Sequence, residues 1–367
     1  MAIEGLDLET LLTPISAETP TGADVRSDFS PTSNYFRLRD ARAEARSAER
    51  AADTDPNADG MANEGWRNVR TFAVKILSEQ AKDLEVAAWL TESLVRSHGL
   101  AGLAFGAQVI GGLAERYWDQ VYPLPDEDGM ETRVAPITGL NGEGGDGTLF
   151  QPLNKTRLFN DANGEPVMLF QYEQSADLET ITDKARKEAR LKAGVPPFDK
   201  TQAAARAAGA AHFVALRKTL REAQAAWSAM GAVLDEKAGR DAPPTRRVSD
   251  ALEKILDVIN RYAPPEAAAA AAAAESVDEV TAEAAAPEAG GGMGKAKKMV
   301  TREDALATLS EIAEFFRRTE PQSPLAYTID DAIRRGRMSW PELLGELVAD
   351  AGLRNNILNT LGIKPVA

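Results

Sequence analysis

Several short stretches of the chain carry residue types whose spacing could do chemistry. Gly142-Glu143-Gly144-Gly145-Asp146-Gly147 matches G-x-G-x-x-G, the spacing with which a glycine turn brings backbone N–H groups against a pyrophosphate. Here Glu143 and Asp146 would repel phosphate, and Thr148-Leu149-Phe150-Gln151-Pro152 does not open the helix that a dinucleotide fingerprint needs. The expectation is a flexible surface loop. Gly290-Gly291-Gly292-Met293-Gly294-Lys295-Ala296 grazes the P-loop pattern but lacks its leading glycine and the Ser/Thr that would hold Mg²⁺. Asp55-Pro56-Asn57-Ala58-Asp59-Gly60 resembles the first half of a calcium loop, yet the twelfth position, where a bidentate Glu belongs, is Trp66.

The two histidines have no nucleophile or carboxylate at diagnostic spacing. His98 precedes Gly99 at a helix end, where a cation would suit the C-terminal dipole, and His212 is expected mid-helix beside Phe213. Asp330-Asp331 and Asp126-Glu127-Asp128 are adjacent rather than facing, so they read as solvated faces. No catalytic constellation survives. The expectation is a protein that is not an enzyme, with no cofactor and no metal.

Composition points the same way. The 367 residues carry 42 Lys+Arg against 56 Asp+Glu, a formal charge of −14, and no cysteine. Thiolate metal sites, disulfides and thiol redox chemistry are therefore excluded. Two histidines do not make a His-rich metal centre. Residues 1–160 hold 25 acidic and 15 basic side chains, a poor surface for nucleic acid. No uncharged apolar run is long enough to span a bilayer, and the acidic start lacks a basic signal region, so a soluble cytoplasmic protein is expected.

The elements that would position any site are helical, and the predicted fold class is all-α. Trp66, Val69, Phe72, Ile76 and Leu77 recur at three- and four-residue steps, as do Leu84 through Val95 up to Gly99, and Val109 through Trp118 up to Pro123. Helices are also expected over about 6–12, 35–52, 177–193, 201–237 and 248–259. Between Asp126 and Asn160 only short elements are expected, and Pro166–Tyr172 is the one plausible strand.

Four segments follow: an amino-terminal helical domain (1–160), a helical middle region (161–263), a linker (264–300) and a small helical domain (301–367). The linker follows from Pro264-Pro265, the alanine run 267–274 and Gly290-Gly291-Gly292, which hold too little apolar surface to offset chain ordering. If fully flexible, it would reach on the order of 30–36 Å. In the last segment Leu306, Leu309, Ile312, Phe315 and Phe316 line one helix. Ser323 is placed as N-cap with Pro324 at the first helical position, and Ser339-Trp340-Pro341-Glu342 forms a capping box. A last helix is expected through Leu353, Ile357, Leu358 and Leu361. So small a core invites completion by a partner or by another copy.

Three stretches stand out as interaction surfaces. Arg317-Arg318-Thr319-Glu320-Pro321 lies beside Phe315, Phe316 and Tyr327, the Arg-plus-aromatic composition of interface hot spots, the alternative being that these aromatics are core. Trp340 before Pro341 is a second anchor. Thr13-Pro14-Ile15-Ser16 through Pro20-Thr21-Gly22-Ala23-Asp24 is a proline-bounded extended stretch expected to lie across the helical body.

Longer patterns carry a family resemblance. LLTPISAETPTGADVRSDFSPTSNYFRLRDARAEAR and GWRNVRTFAVKILSEQAKDLEVAAWLTESLVRSHGLAGLAFGAQVIGGLAERYWDQVYP resemble the ImpA amino-terminal domain of TssA proteins of the bacterial type VI secretion system. FFRRTEPQSPLAYTIDDAIRRGRMSWPELLGEL is similar to the carboxy-terminal segment of the shorter TssA class. The resemblance implies a non-enzymatic assembly factor whose carboxy-terminal domain forms a homo-oligomeric ring. Its implied partners are baseplate subunits and tube, spike or sheath proteins. It marks Pro14, Ile15, Pro20, Gly22, Asp24 and Trp66 in the amino-terminal domain. In the ring domain it marks Arg317, Arg318, Glu320, Pro321, Ser323, Pro324, Trp340, Leu343 and Leu344. The absence of extra carboxy-terminal hydrophobic sequence favours a baseplate role over the alternative, a cap on the distal end of the growing sheath. A nucleotide-dependent enzyme is the remote third reading, supported only by Gly142–Gly147.

Overall fold

The computed structural model describes residues 3–52, 59–127, 129–265, 302–319, 324–347, 350 and 352–353. It divides into two compact units, 1–282 and 283–367. Residues 55–58 of the expected calcium-loop stretch, the linker from Glu266 to Val300 and the expected last helix beyond Leu353 lie outside the described residues, while Asp59 and Gly60 open α3.

In the first unit, α1 (Leu8–Leu12) starts at Asp7, whose carboxylate accepts the Thr10 N–H at 2.9 Å. The helices α2 (Asn34–Ala52) and α3 (Asp59–Glu79) pair closely, and a Cβ at Gly65 would stand 2.8 Å from that of Ala45. The long helix α4 (Leu84–Tyr117) is broken at Gly99, which takes φ 56° and ψ −129°, a conformation open to glycine alone. The break folds residues 84–98 and 100–117 back on one another. A Cβ at Gly102 would overlap the Leu94 carbonyl, one at Gly106 would overlap Thr91, and Tyr122 returns beside Lys82 and Leu84. Glycine costs about 1 kcal/mol against alanine in a helix. At these positions it permits two backbones to meet. The two helices expected on either side of Gly99 are thus present, as a hairpin with a one-residue joint.

Two expectations between 126 and 172 need correction. Residues Glu131–Asn141 form an eleven-residue helix, α5, with Pro136 inside, longer than a Gly/Pro-rich reading allows. It holds because Val134, Ile137 and Leu140 are buried, so packing outweighs propensity. After α6 (Phe150–Asn154), β1 (Arg157–Asn160) pairs antiparallel with β2 (Pro166–Met168), registering Phe159 with Val167. The strand expected through Tyr172 stops at Met168. Leu169 begins α7 (Leu169–Thr180), where Leu169, Tyr172, Ser175 and Leu178 recur at three-residue steps and are buried.

The region beyond holds α8 (Lys184–Lys192), α9 (Phe198–Ala208), α10 (Ala210–Ala238) and α11 (Arg246–Tyr262). The expected single helix over 201–237 is divided at Gly209, with φ 83°. One hydrophobic core runs from Ile3 to Ala263 and takes side chains from both halves of this unit. Helix α10 lies against α4: a Cβ at Gly111 would sit 3.4 Å from Met230 Cα. Tyr262 stacks on Phe213 at 5.1 Å and shares a 2.9 Å hydroxyl contact with Tyr172. That burial and contact raise its pKa.

The second unit contains α12 (Arg302–Thr319), α13 (Leu325–Arg337) and α14 (Trp340–Leu347). Among the described residues, Leu306, Ala313, Ala326, Ile333 and Leu344 are its buried apolar side chains. Pro324 stands at the N-cap of α13, one position earlier than expected. The capping box at α14 is present in one direction: the Ser339 N–H donates to Glu342 Oε2 at 2.8 Å. That bond lowers the Glu342 pKa. Chain-wide, no described helix is long and apolar enough to cross a membrane.

Candidate interaction surfaces

The proline-bounded amino-terminal stretch does lie across the helical body. The Lys82 N–H donates to the Thr21 carbonyl at 2.9 Å, the Ala23 N–H to Gln80 O at 3.3 Å, and the Ile15 N–H to Pro20 O at 2.9 Å. Gly22 is required by two constraints: its φ is +72°, and a Cβ would overlap the Gln80 carbonyl. Pro14 is exposed, whereas Ile15, Pro20 and Asp24 are half-buried. Trp66, marked by the family pattern, is a core residue. It lies under the Arg96 guanidinium, whose Cζ is 4.1 Å from the ring centroid.

The end of the stretch is held by a charge network that sequence reading missed. Asp24 accepts the Arg26 N–H at 3.0 Å. The Arg26 guanidinium donates to Asp83 Oδ2 at 2.6 Å and Glu85 Oε2 at 2.6 Å. Burial opposes that cation, but Asp83 and Glu85 outweigh it and raise the Arg26 pKa. Asp83 is fully buried and also caps α4, accepting the Glu85 and Val86 N–H groups at 2.9 and 3.0 Å. Tyr35 donates to Glu85 at 2.9 Å, and burial together with that carboxylate pushes its pKa up to about 12. Beside this network Lys82 is fully buried, its Nζ donating to the carbonyls of Leu11 at 2.8 Å and Leu77 at 2.5 Å. Desolvation brings its pKa down to about 8. The signal available in sequence was Asp83 directly before the apolar run of α4, an N-cap pattern; nothing local identified Arg26 as its partner.

The glycine loop is tight rather than flexible. Gly142 closes α5 at φ 85°, and a Cβ there would overlap Gly145 and Gly147. Arg247 donates to the Gly145 carbonyl and pairs with Asp146 at 3.5 Å. The turn is closed by its own backbone, with the exposed Glu143 and Asp146 beside it. His98 Nδ1 lies 2.8 Å from Ser97 Oγ, and burial and Arg70 lower its pKa. His212 lies in the first turn of α10 rather than mid-helix, with Nε2 2.6 Å from the Leu158 carbonyl. Asp330 and Asp331 are paired across or along helices instead of merely solvated.

In the second unit the expected apolar line of α12 divides. Leu306 and Ala313 point inward, whereas Leu309, Ile312 and Phe315 are 37, 40 and 52 % exposed. Tyr327 on α13 is 67 % exposed. Phe316 is half-buried and meets Phe315 edge to face at 5.7 Å. Arg317 joins α12 to α13 through Asp330 at 2.5 Å, so it fixes the helix pair; Arg318 is exposed. Leu343 is half-buried and Leu344 buried. Glu320, Pro321, Ser323 and the side chain of Trp340 lie outside the described residues.

Sequence reading also missed a second pairing. Arg334 donates to Glu346 at 2.7 Å and to Asp331 at 2.6 Å, and Arg335 reaches Glu346 at 2.9 Å. The two guanidiniums take the Glu346 pKa down to about 2.

Comparison with known proteins adds three findings. Residues 12–142 match the family described as ImpA, N-terminal, type VI secretion system. The chain is 27% identical over 366 residues to the type VI secretion system component TssA1 of Pseudomonas aeruginosa, covering 94% of this chain and 96% of that protein. Its fold is similar to the N-terminal domain of the TssA component from Burkholderia cenocepacia, which includes the conserved ImpA region. The TM-score is 0.58 and the identity 27%, over 71% of this chain and 96% of that one.

Proposed function

We propose that this chain, which belongs to the TssA family of type VI secretion system components, works as a non-enzymatic, ring-forming assembly scaffold. Family membership gives it a structural role in secretion-system assembly. The finer reading is that the carboxy-terminal unit joins copies into a ring, while the larger unit meets baseplate, tube, spike or sheath proteins in the cytoplasm. The observation that carries it is the exposed stripe of Leu309, Ile312 and Phe315 on α12, with Tyr327 on α13. Three large apolar residues at three-residue steps are the kind of face that another copy covers. Many weak sites displayed on one ring would gain from high effective concentration.

The test is the mass of the full chain by light scattering, beside a variant carrying Ile312→Glu and Phe315→Glu. A discrete oligomer that is lost in the variant supports the reading. A monomeric wild-type chain sinks it. A labelled chain that travels with the growing sheath tip would instead favour the cap.

A further inference from the structure

Helix α8 reads Lys184-Ala185-Arg186-Lys187-Glu188-Ala189-Arg190-Leu191-Lys192, and none of its residues is buried. Five cations face one carboxylate in a chain whose formal charge is −14. None of the five makes an ion pair among the described residues. Arg186 and Arg190 stand four apart and Lys184 and Lys187 three apart, spacings at which like charges repel. Nine residues are too few for an isolated helix to persist in water. The Asp183 side chain caps it, accepting the Ala185 N–H at 2.9 Å. The helix therefore displays a concentrated positive surface that no ion pair among the described residues neutralises.

The same unit carries a surface of opposite sign. An open groove of about 680 Å³ lies between α5, the glycine loop and residues 240–244, with Glu131, Glu143, Asp146 and Asp241 on its walls. Asp146 and Asp241 are held by Arg247 at 3.5 Å and Arg240 at 3.6 Å. Glu131 and Glu143 are exposed and form no ion pair among the described residues. No ion pair links α8 to this groove within one copy.

We propose that α8 of one copy docks into the Glu131–Glu143 groove of a second copy. The contact joins two different patches, so each copy keeps one free helix and one free groove, and the interaction continues from copy to copy. It goes beyond assembly through the carboxy-terminal unit and does not depend on it. A polyphosphate partner is disfavoured, since residues 1–160, with 25 acidic and 15 basic side chains, repel nucleic acid and anionic lipid alike.

The experiment mixes full-length chains of natural and nitrogen-15 isotope content, joins lysine to carboxylate with a carbodiimide, and maps the cross-links by mass spectrometry. Expected are mixed-isotope peptides linking Lys184, Lys187 or Lys192 to Glu131 or Glu143. Their yield should fall several-fold when salt rises from about 50 to about 500 mM. Arg186→Glu with Arg190→Glu should cut the yield several-fold while leaving the circular dichroism unchanged. Glu131→Lys with Glu143→Lys should weaken association in sedimentation, and combining both reversals should restore it. Cross-links from α8 confined to one copy, or reaching acids elsewhere on the second, would overturn the proposal. So would α8-dependent binding to a DNA duplex or phosphatidylserine vesicles without cross-links between copies.

Discussion

Lys82 Nζ sits 2.8 Å from the carbonyl oxygen of Leu11, seventy-one positions earlier in the chain, and the ammonium that makes this bond has no access to water. It satisfies carbonyls at the carboxy-terminal ends of two helices, α1 and α3, that would otherwise be orphaned.

Replacing Lys82 by Met should cost about 1–3 kcal/mol at neutral pH, because buried carbonyls lose their donor. The lysine also has a pH signature. Its pKa is about 8 in the fold, below the ordinary lysine value, so above pH 8 the unfolded chain holds a proton that the fold has released. Stability then rises with pH between about 8 and 10. Above that, Tyr35 and Tyr262 oppose it, since both stay protonated in the fold while their unfolded counterparts ionise. Melting curves of wild type and Lys82→Met across pH 7–10 should diverge in this sense; parallel curves would refute the assignment.

Asp83 serves as helix cap and as counter-ion at once. Asp83→Ala removes both, stranding part of the Arg26 charge, with an expected loss of about 3–5 kcal/mol. Asp83→Asn keeps an acceptor for the α4 N–H groups and loses only the ion pair, so it should fall about midway. Chemical denaturation of the three proteins orders them, and equal losses for Ala and Asn would rule out the capping share.

The glycines make a graded set. Gly102→Ala should destabilise by about 1–3 kcal/mol or more, since the added methyl meets the Leu94 backbone, even though alanine is the better helix former. Gly99→Ala has open space but a left-handed φ, with a cost of about 1–2 kcal/mol. Gly139→Ala has neither obstacle within α5 and should stabilise by about 0.5–1 kcal/mol. Denaturant midpoints in any other order would contradict the hairpin packing.

Gly22→Ala should free the amino-terminal stretch from Gln80 while α2–α4 stay folded. Limited proteolysis reads this directly: new cleavage between Thr13 and Arg26 is expected in the variant and not in wild type. Unchanged resistance would mean that the stretch is held elsewhere.

Helix existence was legible wherever apolar spacing was regular, as in α3, both limbs of α4, and α11, where Val248, Leu252, Ile255 and Ile259 are all buried. It failed where packing overrode composition. Pro136 and the nearby glycines disguised α5, and the apolar run after Pro166 read as strand although only its first three residues pair. The candidate surfaces were half legible. Phe315 and Tyr327 are exposed, and Arg317 pairs with Asp330. The Arg26–Asp83–Glu85 network could not be read at all, because ion pairs between residues almost sixty positions apart leave no local pattern.

The single-residue joint at Gly99 has a kinetic meaning. Leu94 and Gly102 meet across only eight positions of chain, so the α4 hairpin can close with almost none of the loop entropy that distant pairings must overcome. Contacts this local form early in folding. Because α4 precedes α10 in the chain, these contacts are available before α10 is synthesised.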